Sequence, residues 1–377
     1  MTGDALELYI HIPFCVRKCA YCDFLSFPAE ETVRRAYTEA LEKEITALAE
    51  RYGGRKTVSI FFGGGTPTVL PASDLVRILT LIKEYYQVEE DAEVSLECNP
   101  GTVKTEDFRL LKEAGFNRLS IGCQSTREEE LLLLGRIHGH ADFLKAFEGA
   151  RQAGFGNISV DLMFALPGQS REAFRETLRK TAALCPEHIS AYSLILEEGT
   201  PFYERRNEMV FPSEEEEAGM YEDCAAVLGE YGFHRYEISN YAKEGFECRH
   251  NTGYWTGVPY LGLGLGSSSF SEGLRYENTK DLREYINLAG EPDRLRRSIR
   301  TVGRAEAMGE FMILGLRLVR GVSEAEFEER FGESPDSVFG PALDKYVKTG
   351  FMKRENGRIS LTDRGFPVSN YIMADFV

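Results

Sequence analysis

Six short β-rich runs, each followed by a stretch with apolar residues at helical spacing, constrain this chain more than any other feature. The runs are "LELYIHI" (6–12), "TVSIFFGG" (57–64), "AEVSLE" (92–97), "RLSIGCQ" (118–124), "NISVDLMF" (157–164) and "HISAYSL" (188–194). Residues 32–51, 73–86, 105–114, 140–153 and 171–184 between them carry helix-period apolar positions with polar opposite faces. Repeated βα units require a parallel sheet with helices packed outside it. Such a set fits either an open doubly wound sheet or an incomplete βα barrel, and periodicity does not separate the two. In both, ligands gather at the carboxyl ends of the strands. Residues 63–66, Glu97, Gln124 and Asp161 fall at or near those ends.

A further helix is expected from "PSEEEEAGMYEDC", where Ser213 and Glu216 have capping-box spacing and the glutamates complement the positive helix start. The acidic run is thus a solvated helix terminus. Beyond about residue 232 the pattern turns aromatic and glycine-rich. From about 305, three helical patterns precede "MKRENGRISLT", which reads as a hairpin, and together they suggest a winged-helix-like tail. The expected division is a core over 1–232, a segment over 233–304 that wraps it, and a C-terminal domain over 305–377.

No apolar run approaches the ~20 residues needed to span a bilayer. Eight cysteines in 377 residues are too sparse for a disulfide scaffold, so a tight cluster of them points to metal or catalysis in a reducing cytoplasm. The formal charge of −16 opposes nucleic acid as a partner. The tail opposes it too, with 9 Lys or Arg against 12 Asp or Glu over 305–377.

The tight cluster is Cys15, Cys19 and Cys22, spaced Cys-x3-Cys-x2-Cys in "IHIPFCVRKCAYCDF". Closed structural metal sites take four ligands, whereas three thiolates on one loop suit a centre that keeps a coordination position open. A zinc knuckle completed by His11 is the alternative. His11 lies in a strand-like run, and no second Cys-x2-Cys pair exists to close such a site. The glycines of "GGGTP" (63–67) lack Cβ atoms, which would let their backbone approach a ligand amino group.

With "GGGTP" after a strand, the cysteine loop resembles the radical S-adenosylmethionine superfamily. The longer set "YIHIPFC", "FFGGGTPT", "ECNPGT", "RLSIGCQS", "VDLMFALPGQ" and "HNTGYW" resembles its coproporphyrinogen dehydrogenase-like branch, and within that the HemW-type haem chaperones. The resemblance implies a three-quarter βα barrel with a C-terminal winged-helix-like domain. It implies a [4Fe-4S] cluster on Cys15, Cys19 and Cys22, with S-adenosylmethionine chelated at the open iron and cleaved to a 5′-deoxyadenosyl radical. Carried over by motif position, Tyr9, Tyr21, Gly64, Gly65, Thr66, Glu97, Gln124, Arg136 and Asp161 would contact the cluster or S-adenosylmethionine. Without the resemblance, Asp161 also reads as a helix-capping carboxylate and Arg136 as a surface ion pair.

True oxidases of the branch carry a fourth cysteine two residues after the third, where this chain has Phe24. The resemblance thus favours a chaperone that binds haem and passes it to haem-accepting proteins. An electron donor such as flavodoxin or ferredoxin, and peripheral membrane contact through partners, would go with that role. "HNTGYW" matches the haem-associated motif and makes His250 the candidate iron ligand, with Cys248 as rival and a hydrogen-bonded core histidine as the alternative reading. Two departures stand out: Ser268 replaces a usual histidine in "GLGLGSSSF", and Ala165 replaces a common glycine, which reads as a minor packing change.

Overall fold

The computed structural model describes residues 4–377, so the first three positions of the expected 1–232 segment lie outside the described residues. The six runs form β1 (Ala5–Ile12), β2 (Lys56–Gly64), β3 (Gln87–Cys98), β4 (Arg118–Gln124), β5 (Ile158–Phe164) and β6 (His188–Ser193). Along each strand the side chains alternate in kind. Leu8, Ile10, Ile60, Phe62, Leu96, Leu119, Ile121, Val160 and Ile189 point to one face and form the main core with the helices. Tyr9, Phe61, Glu97, Ser120, Asp161 and Ser190, at the intervening positions, line a cavity on the other face. The period-2 pattern of a strand therefore separates an apolar helix-facing side from a largely polar bore.

The six strands are parallel and lie side by side in chain order. A doubly wound sheet reverses its order at a switch point, whereas right-handed crossovers in an unreversed order put every helix on one face. The helices Glu31–Tyr52, Ala72–Tyr85, Thr105–Ala114 and His140–Gln152 accordingly pack each against the next. The curl does not close. Beyond β6 come two short antiparallel strands, β7 (His234–Arg235) and β8 (Asn240–Ala242). Beyond β1 lie β9 (Tyr260–Leu263), parallel to it, then β10 (Ser268–Ser271), β11 (Leu274–Asn278) and β12 (Arg296–Thr301). The outcome is a twelve-stranded sheet with free edges at β12 and β7, a partial barrel.

The helix expected after residue 212 spans Glu214–Gly229, and its capping box is present, with Ser213 Oγ accepting from Glu216 N at 3.2 Å. The C-terminal part runs helix Arg304–Leu316, β13 (Val322–Ser323), helices Glu324–Phe331 and Pro335–Lys348, β14 (Met352–Glu355) and β15 (Arg358–Leu361). Helix, strand, two helices and a hairpin is the winged-helix order, around a separate core that includes Met312, Phe327, Leu343 and Ile372. The two-residue β13, which pairs with β15, was beyond the reach of periodicity.

Candidate functional site

The loop that leaves β1 is fixed at both ends before it presents a thiol. Cys15 N donates to Phe27 O (3.1 Å), Phe27 N to Pro13 O (2.9 Å), and Ala20 N to Leu134 O (3.1 Å). Cys15, Cys19 and Cys22 are partly exposed and face one cavity of about 510 Å³. Cys15 Sγ lies 3.5 Å from Thr66 Oγ1, and Arg136 Nη1 donates to Cys19 Sγ at 3.5 Å. Among the described residues, no three His, Cys, Asp or Glu side chains are grouped to share a single ion. A cubane asks for something different, because each thiolate binds a different iron.

The glycine run packs against this loop. Gly65 N donates to Ile12 O (2.9 Å) and Thr66 N to Phe14 O (2.8 Å). Gly64 adopts φ +115°, and a Cβ there would lie 2.6 Å from the His11 ring; one on Gly65 would lie 2.7 Å from Phe14 O. The glycines are thus also needed for packing, beside the expected approach of their backbone to a ligand amino group. The space a side chain would need is taken by the cysteine loop and His11, and the Gly64 N–H is engaged by Glu97 Oε2 at 3.1 Å.

Every residue placed in the site by motif lines this one cavity: Tyr9, Tyr21, Gly64, Gly65, Thr66, Glu97, Gln124, Arg136, Asp161, the three cysteines and His250. Asp161 is not a helix cap. Its oxygens accept from Ser120 Oγ at 3.0 and 3.1 Å. Nor does Arg136 form a surface ion pair: its Nη2 donates to Gly122 O (3.0 Å), and its buried Nε has no partner. Gln124 holds a left-handed backbone at φ +67°. Burial, reinforced by the neighbouring Asp161 charge, pushes Glu97 up to about 7, and burial also raises Asp161. Two buried carboxyls that ionise reluctantly, beside a guanidinium with a free N–H, suit a zwitterion. Its ammonium would favour the ionised carboxylates and its carboxylate would satisfy Arg136.

His250 lies on the helix Arg249–Thr256, which enters the bore, and it is 1% exposed. Its Nδ1 pairs with Ser59 Oγ (2.8 Å) and its Nε2 with Tyr254 OH (2.9 Å), while Ser59 Oγ donates to Glu7 Oε1 (3.0 Å). The ring stacks on Phe61 with centroids 5.1 Å apart. Burial drives its pKa down to about 3, which keeps the imidazole neutral. In this arrangement both ring nitrogens are engaged. Cys248 is fully buried and leans on Glu93 Oε1 at 3.4 Å. Ser268 is exposed and lines a separate cleft beside the tail.

Sequence reasoning passed over Arg118 and Ser120, which also line the cavity, as does Tyr254 of the aromatic motif. Strand parity could have found the first two, because they share alternate positions with the bore side of β4.

Residues 9–181 match the Radical SAM superfamily and residues 302–368 the HemN C-terminal domain. The chain is 37% identical to the heme chaperone HemW of Bacillus subtilis, across 98% of each chain. It is 34% identical to the heme chaperone HemW of Escherichia coli, across 99% of this chain and 98% of that one. The chain belongs to the HemW family of radical SAM proteins. The solved coproporphyrinogen III oxidase (HemN) of Escherichia coli shares the fold of this HemW family member, with a TM-score of 0.87 at 24% identity over 100% of this chain and 91% of that one. Membership in the radical SAM superfamily implies a [4Fe-4S] cluster and S-adenosylmethionine, and the thiols, acids and guanidinium of the cavity fit both.

Proposed function

We propose that this HemW family member is a haem chaperone, which binds haem and transfers it to haem-accepting proteins. The observation that carries the reading is the near-full-length likeness to proteins named heme chaperone HemW, extending through both the barrel and the tail. Cys15, Cys19 and Cys22 would hold the [4Fe-4S] cluster, which when bound supplies an electron and an open iron for S-adenosylmethionine. Glu97 and Asp161 would accept from its ammonium and ribose hydroxyls, Arg136 would pair with its carboxylate, and Gly64, Gly65 and Thr66 would shape the methionine side. Tyr9, Tyr21 and Gln124 would complete the walls.

His250 is the proposed iron ligand. Its Nε2 reaches iron only when the Tyr254 hydroxyl leaves it. The same proposal assigns residues 1–232 to the cofactors, 233–304 to the haem-associated segment and 305–377 to a covering domain. A cytoplasmic setting, a flavodoxin or ferredoxin donor and membrane contact through partners belong to it as well. Among the described residues no helix is long and apolar enough to cross a membrane.

The test is anaerobic reconstitution followed by haem titration, with porphyrinogen conversion assayed in the same preparation. Saturable haem binding, transfer to an apo acceptor and no porphyrinogen turnover are expected. Turnover without stable haem binding would reverse the reading in favour of an oxidase.

A further inference from the structure

The cleft between the barrel mouth and the C-terminal helices is a second cavity of about 680 Å³, and Tyr9, Phe24, Gly64, Glu97 and Tyr254 line both it and the cluster cavity. Its volume is that of a cofactor-sized site. The two walls differ in chemistry. Tyr254, Trp255, Tyr260 and Phe270 form an aromatic wall on the barrel side. Arg320, Arg330 and Arg358 stand on the tail side, above Phe311 and Leu314.

These three guanidiniums make no ion pair among the described residues, whereas the cleft's fourth arginine, Arg275, is already forked onto Glu310. Of the cleft's other carboxyls, Glu97 lies where the two cavities meet and Glu326 lies on the same helix as Arg330. Arg330 crosses the gap. Its Nη1 lies 3.2 Å from where a Cβ on Gly257 would sit, in the turn just after Trp255. Arg320 projects from a turn packed closely against β15: Gly321 has φ +62°, and a Cβ there would lie 2.0 Å from Ile359 O. Arg358 braces that turn, donating Nε to Arg320 O and Nη2 to Gly321 O, each at 2.8 Å.

An aromatic wall opposite a row of unpaired guanidiniums selects a flat, largely apolar ligand with carboxylates at one edge. We infer that this cleft is the porphyrin site, with the macrocycle on the aromatic wall and its two propionates on Arg320 and Arg330, the tail turn that carries Arg320 being held by Arg358. The inference deepens the haem-chaperone reading and rests on it.

Trp255 is the chain's single tryptophan and lines the cleft, so a porphyrin bound there must quench its fluorescence, and the arginine variants then distinguish the cleft from the adjoining cavity. The probes are protoporphyrin IX, which needs no iron ligand, its dimethyl ester, which lacks the carboxylates, and haem followed by its Soret band. Arg320→Gln and Arg330→Gln should each weaken protoporphyrin IX binding about tenfold or more, the loss of one charge-assisted contact. Both should leave the thermal unfolding midpoint near that of the parent, and neither should change binding of the ester. Equal affinity of the parent protein for diacid and ester, or unchanged binding by both variants, would overturn the arginine assignment. Haem that saturates by its Soret band without quenching Trp255 would move the site elsewhere while sparing the chaperone reading. Absence of any haem binding would remove both.

Discussion

At the scale of single residues, the bore sets up a charge problem that only a ligand completes. Glu97 lies beside Asp161, and burial with that neighbouring charge lifts it from an ordinary 4.5 to about 7. In the ligand-free protein the folded state thus keeps a proton that the unfolded chain has already released between those values. The resulting stability is complete below about pH 4.5 and is lost as pH rises through about 7. Relative to Glu97→Gln, which cannot ionise, the parent protein should therefore lose stability between about pH 5.5 and about pH 8, as read by denaturant midpoints. Saturating S-adenosylmethionine should flatten the slope, because its ammonium favours the ionised carboxyl. A parent and variant with parallel pH profiles would mean that Glu97 titrates normally and that the site presents no poised acid. Cys15, Cys19, Cys22 and Glu97 were legible because motif spacing is local in the chain. Arg118 was not, since its burial beneath the cavity comes from strands distant in sequence.

At the scale of elements, the outer helices and five of the six parallel strands were read to within a residue, because one face of each packs on a common core and imposes its period. By contrast, β3 starts at Gln87, five residues before its expected run, and β7–β12 were not read as strands. Barrel and doubly wound sheet could not be told apart, since strand order is set by non-local pairing that leaves no mark on either period. The alternation within the strands held more than was taken from it. Glu7, Ser59, Glu93 and Arg118 share the bore-facing parity with Tyr9, Phe61, Glu97 and Ser120, so the polar set foretold a bore built for chemistry.

Ala165, just past β5, is a correction on this scale. The substitution reads as packing, yet its φ of +58° makes it a backbone matter. A left-handed alanine is strained where glycine is not, so Ala165→Gly should stabilise by about 0.5–1 kcal/mol despite glycine's greater unfolded-state entropy. Denaturant midpoints check the sign. Destabilisation would show that the buried methyl contributes more through packing than the backbone loses through strain.

At the scale of the whole molecule, one short helix ties the barrel together. Glu93 on β3 accepts from Arg249 N (3.0 Å) and His250 N (3.3 Å), while the His250 ring joins Ser59 on β2 and, through it, Glu7 on β1. Gly253 lets the helix come this close, since a Cβ there would lie 2.0 Å from Glu7 Oε1. The motif proposed to meet haem is also the strut that braces three strands of an unclosed sheet, and the two roles make separable demands on His250. His250→Ala leaves Ser59 and Tyr254 without their buried partner and should cost about 1–3 kcal/mol of stability. Ser59→Ala removes only the Nδ1 contact, so it should cost less and leave the Soret band of the haem-loaded protein in place. If His250 also ligates iron, its own alanine variant should shift that band as well as lower the unfolding midpoint. A lowered midpoint with an unaltered Soret band would leave His250 as a strut alone, with the iron held by another residue.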